Sequence, residues 1–282
     1  MNLREVRKKT KSIKNVKKIT KAMQLVSAVK MKKAQQAALE GAPYREGLEH
    51  SIRKIAASTD PAVSPLLSAP GTNSKKELII YISSNKGLCG AFHLNLYRYI
   101  LKNVSIDNSE FIAVGKKGAV FVGNMGGKLI ADYSSNAPVM ETTAIFALAL
   151  EKFLNGEYAS VSILYNKFIS TLRSEQVKET LLPMKLPVQE GKEAGMNSSY
   201  IIEPSPEEII DALLRSYVEE KIRGAIMSSE AVEHSSRMMA MKNATDNASG
   251  LVDDLTLEMN KARQAAITQE LAEISGGSEA MK

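Results

Sequence analysis

The sequence predicts a mixed fold class, α/β plus a long antiparallel α-helical coiled coil, in which the two chain ends form a shaft around an inserted Rossmann-like domain. Two observations predict it. Both ends carry long helical patterns with apolar residues at heptad-like spacing. The middle alternates apolar strand-like runs with amphipathic helical runs, which is typical of a mainly parallel sheet. We expect the ends to pair because neither long helix can bury its apolar positions alone.

The N-terminal segment predicts a helix from Asn2 to Glu40. It holds neither Gly nor Pro, and its apolar residues recur at spacings of three and four with one gap of seven. The predicted apolar stripe consists of Leu3, Val6, Ile13, Val16, Ile19, Met23, Val26 and Val29. Gly41 and Pro43 interrupt the pattern before a second helical run, and we assign 1–57 to the N-terminal shaft helix. Residues 58–74 hold three prolines and predict a linker.

Residues 75–190 form the predicted α/β domain. ELIIYISS, EFIAVG and SVSILYNKF predict buried strands, and the amphipathic runs between them predict helices. STLRSEQVKETLLPM predicts an antiparallel continuation of the sheet. We expect 191–205 to be a loop that returns the chain to the shaft.

The C-terminal segment, 206–282, predicts a second shaft helix. Ser205-Pro206-Glu207-Glu208 supplies an N-cap, a proline at the first helical position and a glutamate at the third. A helix over 206–275 would be about 105 Å long at the helical rise, so it needs a partner along its length. Its predicted a/d seam is made of small and flexible residues, namely Met238, Met241, Thr245, Ala248, Val252, Leu255, Met259, Ala262 and Ala266.

Charge is concentrated at the N-terminus. Residues 1–33 hold twelve Lys or Arg and one acid, whereas the whole chain carries only +6, so the remainder is mildly acidic. Nucleic acid, a membrane surface and an acidic protein are the candidate partners. Residues 1–33 contain no aromatic side chain for nucleic-acid stacking, and their apolar side chains are mostly Val, Ile and Met. We favour an acidic protein surface, with a basic coiled-coil nucleic-acid-binding protein as the alternative.

The sequence shows no catalytic constellation, cofactor motif or metal-ligand spacing. Cys89, the only cysteine, follows a predicted strand in GLCG, four residues before His93. A catalytic cysteine would need an activating base, so an α/β enzyme using Cys89 is the weaker alternative to a tight turn. Gly115-Lys116-Lys117-Gly118 could bind an anion at a helix start. No run approaches the roughly 18 apolar residues of a membrane span, and one cysteine suits a reducing compartment.

Three segments resemble the gamma subunits of F-type ATP synthases. They are KSIKNVKKITKAMQLVSAVKMKKAQ, SSNKGLCGAF and MKNATDNASGLVDDLTLEMNKARQAAITQELAEISGG, in that order along the chain. The C-terminal segment is the most specific, and Ser278 departs from the alanine usual in the family. The resemblance implies a non-catalytic rotor, present in one copy without a cofactor, which couples ion flow through the c-ring to ATP synthesis or hydrolysis at the beta subunits.

The resemblance also implies partners and a location. The partners are three alpha and three beta subunits, the epsilon subunit and the c-ring, without nucleic acid or membrane insertion. A shaft that starts within the first few residues suits a bacterial member on the cytoplasmic face of the plasma membrane.

The resemblance further implies roles for single residues. Arg263 and Gln264 match a polar pair that engages a catch loop of the beta subunit. Met23, Thr268 and Glu270 match positions where the two helices meet beta. The basic face is expected to meet acidic side chains of beta through four lysines, Lys14, Lys17, Lys18 and Lys21.

Overall fold

The computed structural model describes residues 3–56, 64–68, 74–184 and 202–280. The helices in these ranges are α1 (Leu3–Glu40), α2 (Ala42–Ala56), α3 (Phe92–Asn103), α4 (Lys116–Asn124), α5 (Thr142–Leu154) and α6 (Pro206–Ala280), with a 3₁₀ turn at Pro138–Glu141. The strands are β1 (Glu77–Ile82), β2 (Ser109–Val114), β3 (Lys128–Asp132), β4 (Ser160–Phe168) and β5 (Ser174–Leu182). This element order confirms the predicted fold class, and the serine N-cap is present, since Ser205 Oγ accepts from Glu208 N–H at 3.3 Å.

The strands form one five-stranded sheet in the order β3-β2-β1-β4-β5. The pairs β3–β2, β2–β1 and β1–β4 are parallel, and β4–β5 is antiparallel. The antiparallel hairpin was predicted from STLRSEQVKETLLPM. Strand β3 was not, because it has only five residues, of which three are apolar, and it lies largely exposed at the sheet edge.

The chain divides into two compact units. Unit 1 comprises Met1–Val29 and Arg237–Lys282, and unit 2 comprises Lys30–Ser236. In this division α2 and the first part of α6 belong to the unit that contains the sheet. The functional extent of the shaft, 1–57 and 206–282, stays a prediction.

The core of unit 2 explains this boundary. Buried isoleucine, leucine and valine side chains recur every four residues on the first part of α6 and pack into the same core as the sheet and α5. They are Ile210, Leu214, Val218, Ile222 and Ile226. Ile52 and Ile55 of α2 join this core. Apolar burial of this kind contributes about 1.5–3 kcal/mol per side chain, which holds these segments against the sheet.

The described part of the predicted linker, 64–68, is anchored to unit 2 by buried residues. Leu66 is fully buried in the unit 2 core, and its carbonyl accepts from Met184 N–H at 2.7 Å. Ser64 Oγ donates to Asp211 Oδ1 at 2.8 Å. In the described part of the linker, the chain is therefore held to unit 2 by a buried leucine that follows Pro65. The expected loop at 191–205 lies mostly outside the described residues.

Unit 1 confirms that the two ends of the chain pair as antiparallel helices. Buried or half-buried positions on α6 follow the predicted seam, and Met241, Thr245, Ala248 and Leu255 are the buried ones. On α1 the prediction was partly wrong. Within unit 1 the buried side chains of α1 are Val6, Thr10, Thr20 and Ser27, whereas Val16, Ile19, Val26 and Val29 are 47–70% exposed.

The physical reason lies in the spacing on α1. The observed seam runs through Val6, Thr10, Ile13, Lys17, Thr20, Gln24 and Ser27, alternating steps of four and three, which is a heptad pattern. Five of these seven residues are polar, so hydrophobicity alone points to the neighbouring valine and isoleucine row.

One buried carboxylate joins three elements at the amino ends of the strands. Glu110 of β2 has a side chain only 7% exposed, and it accepts from Tyr158 Oη at 2.7 Å. Lys76 Nζ lies 2.9 Å away and Lys128 Nζ 3.1 Å away. Burial by itself raises the pKa of Glu110, but the hydrogen bonds from Lys76, Tyr158 and Lys128 outweigh it and lower the pKa to about 2.

We expect Glu110→Gln to lower the free energy of unfolding of unit 2 at pH 7 by about 1.5–3 kcal/mol, the usual cost of losing hydrogen bonds to a charged group. Because the folded pKa lies below the ordinary value of 4.5, this stabilisation is complete above about pH 4.5. It is lost as pH falls towards about 2, so the difference between variant and wild type should shrink with acidity. Urea unfolding, monitored by tyrosine fluorescence, measures this difference in the free energy of unfolding, since every tyrosine lies in unit 2.

The matched control is Glu175→Gln, which removes the exposed ion pair with Arg173 and should change stability by no more than about 0.5 kcal/mol. A Glu110→Gln protein as stable as wild type at pH 7 would contradict this assignment. A stability difference that is independent of pH would do the same.

Candidate partner-binding surfaces

Two hydrogen bonds define the register of the helices in unit 1. Thr245 Oγ1 lies 2.8 Å from Thr20 Oγ1, and Lys17 Nζ donates to Ser249 Oγ at 2.9 Å. Counting outward along the antiparallel helices from these pairs brings Leu3 opposite Ala262. From Arg263 onward, α6 therefore has no described residue of α1 beside it.

The basic face is narrower than the sequence predicted. Lys14, Lys18 and Lys21 are exposed, and Lys21 Nζ also donates to Gln24 Oε1 at 3.3 Å. Lys17 differs from them, since it is half-buried and its ammonium group is bonded across the seam to Ser249. Lys17 therefore belongs to the helix pairing and contributes less to an outer surface.

An exposed apolar row lies on α1, on the side of the seam opposite Lys14 and Lys21. With about 100° of rotation per residue, Val16, Ile19 and Val26 fall on this side, and Met23 lies half-buried between them and the seam. Sequence reasoning treated this row as the buried stripe. The heptad positions of Thr10, Thr20 and Ser27 were the signal that could have corrected it.

The unpaired part of α6 carries a second surface. Ile267, Leu271 and Ile274 are exposed, and their spacing of four and three places them on one helix face. Arg263 and Gln264 are exposed at the start of that same face. The surface therefore combines two polar side chains that can form several hydrogen bonds with an apolar stripe that no described residue covers.

The structure separates some residues that the resemblance had grouped. Thr268 is exposed and its Oγ1 donates to Gln264 O of its own helix at 2.9 Å; Glu270 is exposed nearby. The register places Met23 beside Lys242, so it lies about 39 Å along the helix axis from Thr268 at 1.5 Å per residue. Unit 1 thus has two distinct exposed surfaces, one around 14–26 and one from 263 onward.

The turn after β1 has a structural role. Asn85 Oδ1 accepts from Lys116 N–H at 2.9 Å, and Ser84 O accepts from Lys117 N–H at 3.0 Å. An anion at the start of α4 would need these two amides, which already donate to the turn, so the structure gives no support to an anion site at Gly115–Gly118.

Cys89 lies in the same turn. It is buried with Phe92 in the second core cluster of unit 2, while His93 Nε2 lies 3.1 Å from Ser84 Oγ. This arrangement matches the tight turn expected at Cys89 and gives no support to a reactive thiol.

Within residues 3–56, 64–68, 74–184 and 202–280, none of the helices combines the length and the hydrophobicity of a membrane span. The same ranges contain no group of three or more His, Cys, Asp or Glu side chains that could hold a metal ion.

Comparison with known proteins decides the family. The chain matches the protein family described as ATP synthase over residues 2–281. It is 40% identical over 285 residues to the ATP synthase gamma chain of Clostridium perfringens, covering 99% of this chain and 98% of that one. It is 38% identical over 286 residues to the ATP synthase gamma chain of Pelotomaculum thermopropionicum, covering 100% and 99%. The chain belongs to the ATP synthase gamma chain family.

Solved structures show the same fold. A chain of the Euglena gracilis mitochondrial ATP synthase described as OSCP/F1/c-ring aligns with a TM-score of 0.68 at 19% identity, covering 99% of this chain and 94% of that one. A chain from the Tetrahymena thermophila central stalk and c-ring aligns with a TM-score of 0.57 at 24% identity, covering 80% and 99%. As a gamma chain, this protein is a non-catalytic stalk subunit, and nothing in these comparisons supports the nucleic-acid alternative.

Proposed function

We propose that this chain is the central rotor of an F-type ATP synthase, which couples ion-driven rotation of a c-ring to ATP synthesis or hydrolysis at the beta subunits. Family membership supports the proposal. The observation that carries it is the unpaired end of α6, where Ile267, Leu271 and Ile274 remain exposed in the chain alone. An apolar stripe of this kind is typical of a helix that a surrounding protein encloses.

The rotor proposal requires a shaft that differs from side to side. A ligand or subunit shifts the conformation of a partner only through contacts that favour one state over another. Unit 1 meets this requirement, since α1 presents exposed lysines on one flank of the seam and an apolar row on the other. As such a shaft turns, each surrounding site meets a different surface.

The proposed partners follow from the relatives. The solved neighbours are described as rotor, F1, c-ring and central stalk assemblies. We infer three alpha and three beta subunits around unit 1, with the epsilon subunit and the c-ring as further partners and one copy of this chain. The bacterial relatives support a peripheral location on the cytoplasmic face of the plasma membrane.

Reconstitution tests the proposal. Alpha and beta subunits purified with this chain should form a complex with one copy of it, and steady-state ATP hydrolysis should depend on its presence. The isolated chain should hydrolyse no ATP. Failure to assemble, or turnover by the chain alone, would overturn the proposed function.

We expect the basic face to act through several lysines together. An exposed ion pair contributes only about 0.2–1 kcal/mol and is screened by salt. Lys14→Ala, Lys18→Ala or Lys21→Ala alone should leave ATP-driven proton pumping in the assembled enzyme nearly unchanged, whereas reversing all three to Glu should impair it. Lys17→Ala should instead weaken the helix pairing, because its ammonium bonds to Ser249.

The control for charge alone reverses three exposed lysines of unit 2, Lys102, Lys116 and Lys167. Pumping lost in a single alanine variant would show that one residue carries the contact. Equal impairment in the control would show that net charge, not this face, is responsible.

We expect Arg263→Ala and Gln264→Ala each to slow cooperative ATP turnover in the assembled complex. Arg offers a rigid fork of donors and Gln adds a donor and an acceptor, so the two can hold a polar loop of one beta subunit. Losing a hydrogen bond to a charged group costs roughly 1.5–3 kcal/mol, or about tenfold or more in rate if it acts in the transition state. Steady-state hydrolysis and proton pumping measure the effect, with assembly checked by native gel.

Lys261→Ala is the matched control, because Lys261 is exposed and about 160° around the helix from Arg263. The assembled complex that carries Lys261→Ala should hydrolyse ATP at the normal rate. A fully assembled Arg263→Ala, Gln264→Ala double variant with normal turnover and pumping would remove this pair from the mechanism.

A further inference from the structure

The break between α1 and α2 is bridged by an arginine side chain. Helix α1 ends at Glu40 and α2 begins at Ala42, and Pro43 has no N–H to donate to the end of α1. The last carbonyls of a helix need donors from outside the regular pattern. Arg45 Nη2 supplies one of them, since it donates to Ala38 O at 3.2 Å. An arginine of α2 therefore caps the end of α1.

The same guanidinium group lies against two glycines. A Cβ atom added to Gly41, in the break, would lie 3.0 Å from Arg45 Nη1. A Cβ atom added to Gly224 of α6 would lie 3.3 Å from Nη1 and 3.4 Å from Cζ. Distances below about 3.5 Å are shorter than the optimal contact between such atoms. The guanidinium thus occupies the space between the break and α6, and each glycine leaves room for it.

Gly224 is an unfavourable residue for its position. It lies in the interior of α6, between Ile222 and Ile226 of the unit 2 core, where alanine would be the better helix former. Outside the backbone of its own helix, the three heavy atoms nearest to an added Cβ all belong to Arg45, at 3.3, 3.4 and 3.6 Å. The space that Arg45 requires therefore accounts for a glycine here.

The charge of Arg45, which is half-buried, also reaches β4. Tyr165 Oη donates to Glu179 Oε1 at 3.1 Å. Burial and the charge of Glu179 raise the pKa of Tyr165, whereas the positive charge of Arg45 acts in the opposite direction. Arg45 therefore lies close to the end of α1, to α6 and to β4, and these segments all belong to unit 2, Lys30–Ser236.

We propose that Arg45 is a lock that fixes the α1–α2 break against α6, with Gly41 and Gly224 as the two surfaces that admit its guanidinium group. The guanidinium suits this role because it is a planar, rigid fork that donates hydrogen bonds while its atoms pack closely against neighbours. The lock holds the N-terminal helices to the C-terminal helix within unit 2. The inference concerns the chain itself and does not depend on the proposed rotor function.

A double-mutant cycle in the full-length chain tests the lock. Wild type, Gly224→Ala, Arg45→Ala and the double variant are unfolded in urea, and tyrosine fluorescence gives the unfolding equilibrium constant of each. Without Arg45 the added methyl group has space, so Gly224→Ala should lower this constant about fivefold, the ordinary advantage of alanine over glycine in a helix. With Arg45 present the methyl group crowds the guanidinium, and the constant should stay unchanged or rise.

Gly47 of α2 provides the matched control. It lies in a helix interior, and a Cβ added there meets no heavy atom within 4 Å outside the backbone of its own helix. Gly47→Ala should therefore lower the unfolding constant about fivefold whether or not Arg45 is present. If Arg45→Ala does not fold, Arg45→Met takes its place in the cycle, because methionine keeps an aliphatic stem and lacks the Cζ and Nη atoms.

Amide hydrogen exchange tests the cap on α1. Gly41 N–H donates to Ala37 O and Arg45 N–H donates to Gly41 O, both at 3.2 Å. Loss of the charged donor in Arg45→Met should lower the protection factors of these two amides about tenfold or more. Arg53→Met, which removes an exposed arginine of the same helix, should leave them unchanged.

Three outcomes would overturn the inference. The first is an equal gain from Gly224→Ala with and without Arg45. The second is a gain from Gly47→Ala that depends on Arg45 to the same extent, which would assign the coupling to α2 as a whole. The third is unchanged protection of the Gly41 and Arg45 amides in Arg45→Met, or an equal loss of protection in Arg53→Met.

Discussion

One helix must bury two different faces along its length, and the rest of the structure depends on this constraint. The first part of α6 buries residues at every fourth position, from Ile210 to Ile226, against the sheet unit. Its second part buries a heptad seam against α1. Because a spacing of four and a spacing of 3.5 rotate differently around a helix, the two parts serve two compact units within one continuous element.

This division assigns stability and recognition to different residues. Unit 2 holds large aliphatic cores and the buried Glu110 network, so it is the part that burial stabilises most. Unit 1 has a seam that is mostly polar on α1 and leaves valine, isoleucine and leucine rows exposed. A helix pair with exposed apolar rows and exposed lysines is adapted to contacts with other proteins, which is what membership of the ATP synthase gamma chain family implies.

Periodicity predicted most of the fold. The apolar runs of β1 and β4 and the single apolar line on the second part of α6 are each unambiguous in the sequence. The seam on α1 was ambiguous in the sequence, because α1 carries two candidate rows of seam residues and the more hydrophobic row is exposed. A buried threonine such as Thr20 is recognisable only with its partner across the interface. Leu66 was missed for a similar reason, since burial of a short segment depends on neighbours distant in sequence. The roles of Arg263, Gln264 and the lysines remain predictions from resemblance.

The most direct test of the rotor account is observation of single molecules. In an assembled alpha–beta complex fixed to a surface, a probe attached to an exposed position of unit 2 should turn in one direction while ATP is hydrolysed. A disulfide between unit 1 and a ring subunit should stop both rotation and turnover, and its reduction should restore them. ATP hydrolysis at the normal rate while this chain stays still in the ring would contradict the account.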